Sequence, residues 1–231
     1  MLKKLEKKEI LQKSHNYGFI DPSNSIYYDD EDDIGSNELT KYKIINIKIF
    51  SSSENGKKNI IGLEYTLRHL YTGRTVVKLH KGSDDYEEMR ELKIKSGEFL
   101  TGTKLALNQE INGISQIAFL TNKDNQISSS EDDRMLNILV NDKKNIIVGT
   151  YGYTNNGLAS FGCNYISFKD FLNFCLFKFL MLKHIVNKDK KFKKKWDENY
   201  ENLSIEFKFL WKAVNMPDNI YANIVRFCIW N

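Results

Sequence analysis

Between residues 42 and 151 the apolar residues recur at every second position, in short runs cut by turn residues, and few folds accept that pattern. Ile45, Ile47 and Ile49 alternate with Asn46 and Lys48. Ile61, Leu63, Tyr65 and Leu67 alternate with Gly62, Glu64, Thr66 and Arg68, and Thr75, Val77 and Leu79 alternate with Val76, Lys78 and His80. Such alternation puts one set of side chains on one face of an extended strand. Further strand-like stretches fall at 91–95, 99–107, 114–121, 135–140 and 146–151. Gly82-Ser83-Asp84, Asn112-Gly113, residues 122–125 and Asn141-Asp142 supply turns between them. Many short strands at regular spacing, with no helical period before Phe168, predict a mainly β domain: a sandwich, a barrel or a prism.

The period changes at Ser167. Ser167 followed three positions on by Asp170 has the form of a capping box. Residues 168–186 are apolar on most faces and predict a helix that needs burial. Residues 201–215 are amphipathic, with Leu203, Phe207, Leu210, Trp211 and Val214 on one face. Pro217 ends that helix, and residues 218–231 predict a third, closing near Trp230. At the other end, residues 1–13 have a short helical spacing. Residues 16–36 are polar, acidic and turn-rich, and read as a loop-like arm that Tyr27 and Tyr28 anchor to a surface. Three segments follow: a polar N-terminal arm at 1–33, a β domain at 34–167 and an α-helical C-terminal region at 168–231.

A formal net charge of +4 on 231 residues is too small for the whole chain to be a polyanion binder, which argues against nucleic acid as a partner. The charge is uneven. Asp29, Asp30, Glu31, Asp32 and Asp33 form an acidic block that reads as a solvated face. Residues 188–195 hold six lysines against one aspartate. Lys190, Lys191, Lys193, Lys194 and Lys195, with Trp196 beside them, suit an acidic protein, an anionic membrane surface or a phosphate backbone, and equally a solvated linker. Cys163, Cys175 and Cys228 lie far apart among apolar residues, the pattern of reduced thiols in a cytoplasmic protein. The N-terminus lacks the apolar core of a secretion signal, and no uncharged run reaches the roughly 18 residues of a transmembrane helix.

Catalytic patterns are missing. His15, His69, His80 and His184 have no metal-ligand spacing, although His69 and His80 flank one turn on neighbouring strands. Gly56-Lys57-Lys58 lacks the first glycine and the hydroxyl residue of a P-loop, and Gly149-x-x-Gly152 lies between strands rather than opening a helix. Asp84-Asp85 and Asp132-Asp133 sit in polar turns and read as solvated loops. With no catalytic constellation, metal set or cofactor motif, the chain reads as a binding or structural protein and not as an enzyme.

Residues 147–166, I-V-G-T-Y-G-Y-T-N-N-G-L-A-S-F-G-C-N-Y-I, read as strand, loop, strand, where a β domain would grip a ligand. Together with I-I-G-L-E-Y-T-L, Thr72-Gly73, Lys81-Gly82, G-E-F-L-T and I-S-Q-I-A-F-L-T-N-K in that order, this stretch makes residues 61–167 resemble the jacalin-related lectin domain. The resemblance implies a β-prism I fold of three four-stranded sheets about a pseudo-threefold axis. It also implies a sugar site that pairs a glycine-rich loop near the domain's start with a G-x-x-x-D segment near its end. Here that segment falls on Asn155, Asn156, Gly157, Leu158 and Ala159, framed by Gly152, and only Gly35 stands in the region of the opening glycines.

Ala159 occupies the position of the sugar-binding carboxylate, and no Asp or Glu occurs from Lys143 through Lys169. A charge-assisted hydrogen bond contributes about 1.5–3 kcal/mol, against about 4 kcal/mol for a whole millimolar site. The leading expectation is therefore a non-enzymatic scaffold. Its degenerate β-prism, its lysine run and its tail, with Trp211 and Trp230, would dock into a larger assembly. Tubulin or an axonemal protein suits the lysines because tubulin surfaces are acidic, which implies the cytoplasm, the cytoskeleton or a cilium. The alternative is a cytosolic lectin with an altered site around Asn155, Asn156 and Gly157 and the loop near Gly35. A second alternative is an anionic-polymer or membrane-surface binder acting through the lysines.

Overall fold

The structure, a computed structural model, describes residues 10–54, 57–70, 72–95, 97–130, 137–141 and 143–171. The chain divides into two compact units, Met1–Phe168 and Lys169–Asn231. The helices read after residue 171, the lysine run, Trp196, Trp211 and Trp230 lie outside the described residues.

In chain order the elements are β1 (Leu11–Lys13), β2 (Tyr17–Gly18), β3 (Ile26–Asp29), α1 (Asp30–Ile34), α2 (Ser36–Leu39), β4 (Tyr42–Glu54), β5 (Lys57–His69), β6 (Thr75–Lys81) and β7 (Glu88–Lys93). They continue with β8 (Leu100–Asn108), β9 (Gly113–Thr121), β10 (Gln126–Ser128), β11 (Asn137–Asn141), β12 (Asn145–Thr154) and β13 (Leu158–Ser167). Three antiparallel sheets result. Their strand orders are β6-β5-β4-β7, β10-β9-β8-β11 and β1-β13-β12-β3, with β2 added beside β13. The first two share one plan: a central hairpin, the next strand beside its second member, and the fourth strand beside its first. The third sheet repeats that plan, but its outer strands come from the N-terminus. This threefold repeat is a β-prism.

The alternating residues fill the core. Ile47, Ile49, Leu63, Tyr65, Leu67, Leu105, Ile117, Phe119, Val148 and Phe161 are all at most 1% exposed. Phe119 and Phe161 meet edge to face, with centroids 5.9 Å apart. Each such side chain contributes about 1.5–3 kcal/mol through burial. Cys163 is a free, buried thiol.

Several expectations need correction. The N-terminal arm is built into the third sheet: Leu11–Lys13, the end of the stretch read as helical, is strand β1, and the stretch read as a loop-like arm contributes β2 and β3. Leu11 pairs with Ile166, Gly18 with Ser160, and Tyr28 with Gly152. Without these strands the β12–β13 hairpin would present open edges of unpaired main-chain groups. Tyr28 stacks on His80 at 4.0 Å between centroids, and Tyr27 meets Tyr153 at 5.1 Å.

The acidic block is not a solvated face throughout, since Asp29 is 3% exposed and Asp30 0%. Asp29 caps α1, accepting from the Glu31 amide at 2.9 Å. Isoleucine alternation also breaks in β4. Ile44 opposes Leu67 and Asn46 opposes Thr66, so Ile45 is the extra residue of a β-bulge. His69 and His80 do not meet. His69 lies 3.1 Å from Glu38, whereas His80 pairs with Leu63, six positions along β5.

Candidate functional site

The β12–β13 hairpin carries six of the seven residues named as a sugar loop. Its tip closes on itself: the Asn155 amide donates to the Gly157 carbonyl at 2.9 Å. The Gly157 amide donates to Asn155 Oδ1 at 3.2 Å. This is the asparagine turn that the residue types favour. Asn156 is exposed, Asn155 is half-buried, and Gly157, Leu158 and Ala159 are buried. Gly152, back in β12, pairs with both Phe161 and Tyr28.

Ala159 is covered by the N-terminal strands. It is 1% exposed, and its carbonyl accepts from the Phe19 amide at 3.0 Å. Gly18 has a φ of +139° and comes so near that a Cβ there would strike the Ala159 carbonyl and the Ser160 backbone. The glycine beside the hairpin is therefore Gly18. Gly35 has nothing within 4 Å of where a Cβ would sit. It joins α1 to α2, and β3 runs from Ile26 opposite Thr154 to Asp29 opposite Tyr151, leading the chain away from the tip.

A second loop reaches the tip that sequence reasoning passed over. A Cβ on Gly82 would strike the Asn155 carbonyl and the Gly157 amide. The β6–β7 connection therefore lies directly against the β12–β13 turn. Asn59 and the Ile60 carbonyl close the other side of Gly157. Beyond Gly82 the loop presents Ser83, Asp84, Asp85 and Tyr86. Asp84 is fully exposed and sits 3.2 Å from Lys81 Nζ. The Asp85 amide donates to Ser83 Oγ at 3.1 Å. Tyr86 is 45% exposed. The Lys81 ammonium lies 4.6 Å from the Tyr86 ring and 5.0 Å from that of Phe50, which holds the base of the loop. The β6–β7 loop thus offers two carboxylates and one accessible ring, and its Gly82 touches the turn that carries Asn155 and Asn156. Lys81-Gly82 was available in the sequence as a framework signal, but nothing local showed what Gly82 touches.

The other polar cluster is enclosed. Tyr65 Oη donates to Asp30 Oδ2 and lies 3.0 Å from His80 Nε2 and 2.7 Å from Thr150 Oγ1. The Thr150 amide donates to Asp30 Oδ2 at 2.7 Å. Burial, reinforced by the Asp30 carboxylate, pushes the Tyr65 hydroxyl well above its usual value. Asp30 and Tyr65 are fully buried, so this network ties the N-terminal strands to two sheets and leaves no access for a substrate. Burial likewise pushes the Cys163 thiol up to about 12, which leaves it inert as a nucleophile. Among the described residues no cluster of His, Cys, Asp and Glu has the arrangement of a metal site. No helix among them is long and apolar enough to cross a membrane.

Comparison with known proteins agrees with this architecture. A family model described as the jacalin-like lectin domain matches residues 31–164. Among solved structures, Calystegia sepium agglutinin superposes with a TM-score of 0.51 at 19% identity, covering 68% of this chain and 97% of its own. Malaysian banana lectin gives a TM-score of 0.51 at 14% identity, covering 68% and 98%. Calsepa lectin, solved in complex with a biantennary N-glycan, gives 0.50 at 19%, covering 68% and 96%. At these identities the likeness is one of fold. No curated protein sequence matches the chain.

Proposed function

Since this chain belongs to the jacalin-like lectin family, we propose that it is a non-enzymatic carbohydrate-binding protein whose site has moved off the family's lost carboxylate and onto the neighbouring loop. The observation that carries this reading is the contact of Gly82 with the Asn155–Gly157 turn. Asp84, Asp85 and Tyr86 follow Gly82 in the same loop, and Asn156 lies in the turn it touches. A carboxylate has two acceptor oxygens that grip vicinal sugar hydroxyls. An amide offers both donor and acceptor, and an accessible ring supplies an apolar face for the sugar's C–H groups. The Calsepa lectin complex with a biantennary N-glycan supports a glycan as the ligand class.

This reading takes precedence over the scaffold. The tubulin or axonemal partner, and binding to membranes or anionic polymers, rest on lysines outside the described residues, and no compared protein supports them. The free Cys163 supports a cytoplasmic location. A glycan array probed with the full chain tests the proposal. Selective glycan signals that Asp84→Asn and Tyr86→Ala each diminish are expected. Uniform silence from folded protein would sink it.

A further inference from the structure

A cavity of about 390 Å³ lies at the opposite end of the β4–β7 sheet, and four of its lining side chains are cations: Lys43, Arg68, Lys93 and Lys95. Lys43 opposes Arg68, which opposes Thr75, whereas Gly82 follows Lys81 opposite Gly62. The cavity is thus separate from the hairpin site.

The bulge at Ile45 builds it. In an unbroken strand Lys43 and Asn46 would point to opposite faces. The extra residue puts both on the outer face, with Asn46 opposite Lys93 in β7. Lys43 Nζ donates to the Lys95 carbonyl at 3.2 Å and sits 4.5 Å from the Phe99 ring centroid.

Among the described residues none of the four cations forms an ion pair with a carboxylate. The nearby acids are engaged elsewhere. Glu98 accepts from Thr121 Oγ1 at 2.6 Å, Asn125 Nδ2 at 2.5 Å and the Lys95 amide at 3.1 Å. Glu91 accepts from Asn46 Nδ2 at 2.8 Å. That leaves Asn46 Oδ1, which is buried and has no hydrogen-bond partner.

Four like charges around one cavity repel each other, and the half-buried Lys43 ammonium, which feels the Glu98 charge but is not paired with it, is poorly solvated. Burial lowers the Lys43 ammonium to about 8, with Glu98 opposing and Arg68 adding to the shift. An anion would relieve all of this. The cavity volume falls at the low end of the roughly 300–1,000 Å³ of small-molecule sites, so a bare tetrahedral ion would leave much of it empty.

We propose that this cavity binds a small organic molecule, such as a sugar, carrying a sulfate or phosphate monoester. The Arg68 fork takes two ester oxygens. Lys43, Lys93 and Lys95 neutralise the remaining charge. Leu70 supplies an apolar wall.

Isothermal titration of the full chain with galactose 6-sulfate, glucose 6-phosphate, inorganic sulfate, inorganic phosphate, galactose and glucose tests this. At least one ester is expected to bind more tightly than its free ion and its neutral parent, and the better ester identifies the anion. Raising NaCl should weaken that binding through screening. Lys43→Met and Arg68→Gln, both on the sheet's outer face, should each weaken it about fivefold, the upper end for an exposed charge pair. Wild-type affinity should fall between pH 7 and 9.5 as Lys43 loses its proton, and Lys43→Met should lack that step. Failure of both esters to bind folded protein, equal binding of ester and free ion, or unchanged affinity in both variants would overturn the proposal. Neither substitution touches the hairpin loops, so the glycan array reports separately.

Discussion

The Phe19 amide donates to the Ala159 carbonyl at 3.0 Å, and with Gly18 against Ser160 this closes the place where the family's carboxylate would stand. Restoring that carboxylate should therefore not restore sugar binding. Ala159→Asp would bury a charge at a site 1% exposed, with a cost of more than about 2 kcal/mol. Urea denaturation should register the loss, and monosaccharide titration should show no gain. A stable variant that binds sugar would refute the closure.

Gly82 has no room for a side chain, because a Cβ would meet main-chain atoms of Asn155 and Gly157. Gly82→Ala should force the two loops apart and cost about 1–3 kcal/mol. Glycan signals should drop by more than the modest change in melting temperature explains. Equal glycan binding by wild type and variant would detach the β6–β7 loop from the site.

Asp29 holds the N-terminal strands in place. It accepts from Lys13 Nζ at 2.5 Å, Tyr27 Oη at 2.9 Å and Asn164 Nδ2 at 3.0 Å. Burial alone would raise its carboxyl, but the bonds from Lys13, Asn164, the Glu31 amide and Tyr27 outweigh that and hold it below its ordinary value. A carboxyl depressed in the folded state stabilises the fold above its unfolded value of about 3.9. That contribution is lost as pH falls through the folded value. Hydrogen exchange in β1 and β3 should accelerate first on acidification below about pH 4. Asp29→Asn should flatten this dependence.

Tyr65 Oη joins Asp30, His80 and Thr150 in one buried group. Tyr65→Phe keeps the ring and removes the hydroxyl, leaving buried partners unsatisfied at about 1–3 kcal/mol. Asp30→Ala should cost more, about 3–5 kcal/mol, because the Thr150 amide also loses its acceptor. A reversed order in chemical denaturation would show that the network is held mainly by Tyr65.

Lys43 gives the opposite pH signature. Its ammonium falls to about 8 through burial, below the unfolded value of about 10.4. Between those values the unfolded chain binds a proton that the folded chain has released, so stability should rise with pH across this window. After discounting for solvent screening the gain is about 1–2 kcal/mol. Thermal melts from pH 8 to 10.5 should show the rise in wild type and a flatter profile in Lys43→Met.

The long strands were readable because burial of one face imposes a period of two, as at Leu63, Tyr65 and Leu67. β1 and β3 were not. As edge strands they bury few side chains and owe their place to main-chain pairing with Ile166 and Gly152. The bulge at Ile45 interrupts no composition rule, so the cation cluster it creates was invisible. The hairpin residues from Gly152 to Ala159 were found because they are consecutive. Gly35 was chosen by its position in the chain, whereas Gly18 earns its place by an approach in space to Ser160.

Local patterning alone predicts that residues 34–167 form a mainly β domain and that Asn155–Gly157 is a turn, and the family resemblance puts Ala159 where a carboxylate is expected. Those are properties of near neighbours in the chain. Folding in three dimensions settles the rest: that the polar N-terminus completes a sheet, that Ala159 is buried with its carbonyl held by the Phe19 amide, and that Gly82 packs against the turn. Each depends on contacts between residues far apart in sequence, and hydrophobic period carries no information about which distant backbone will fill a given edge.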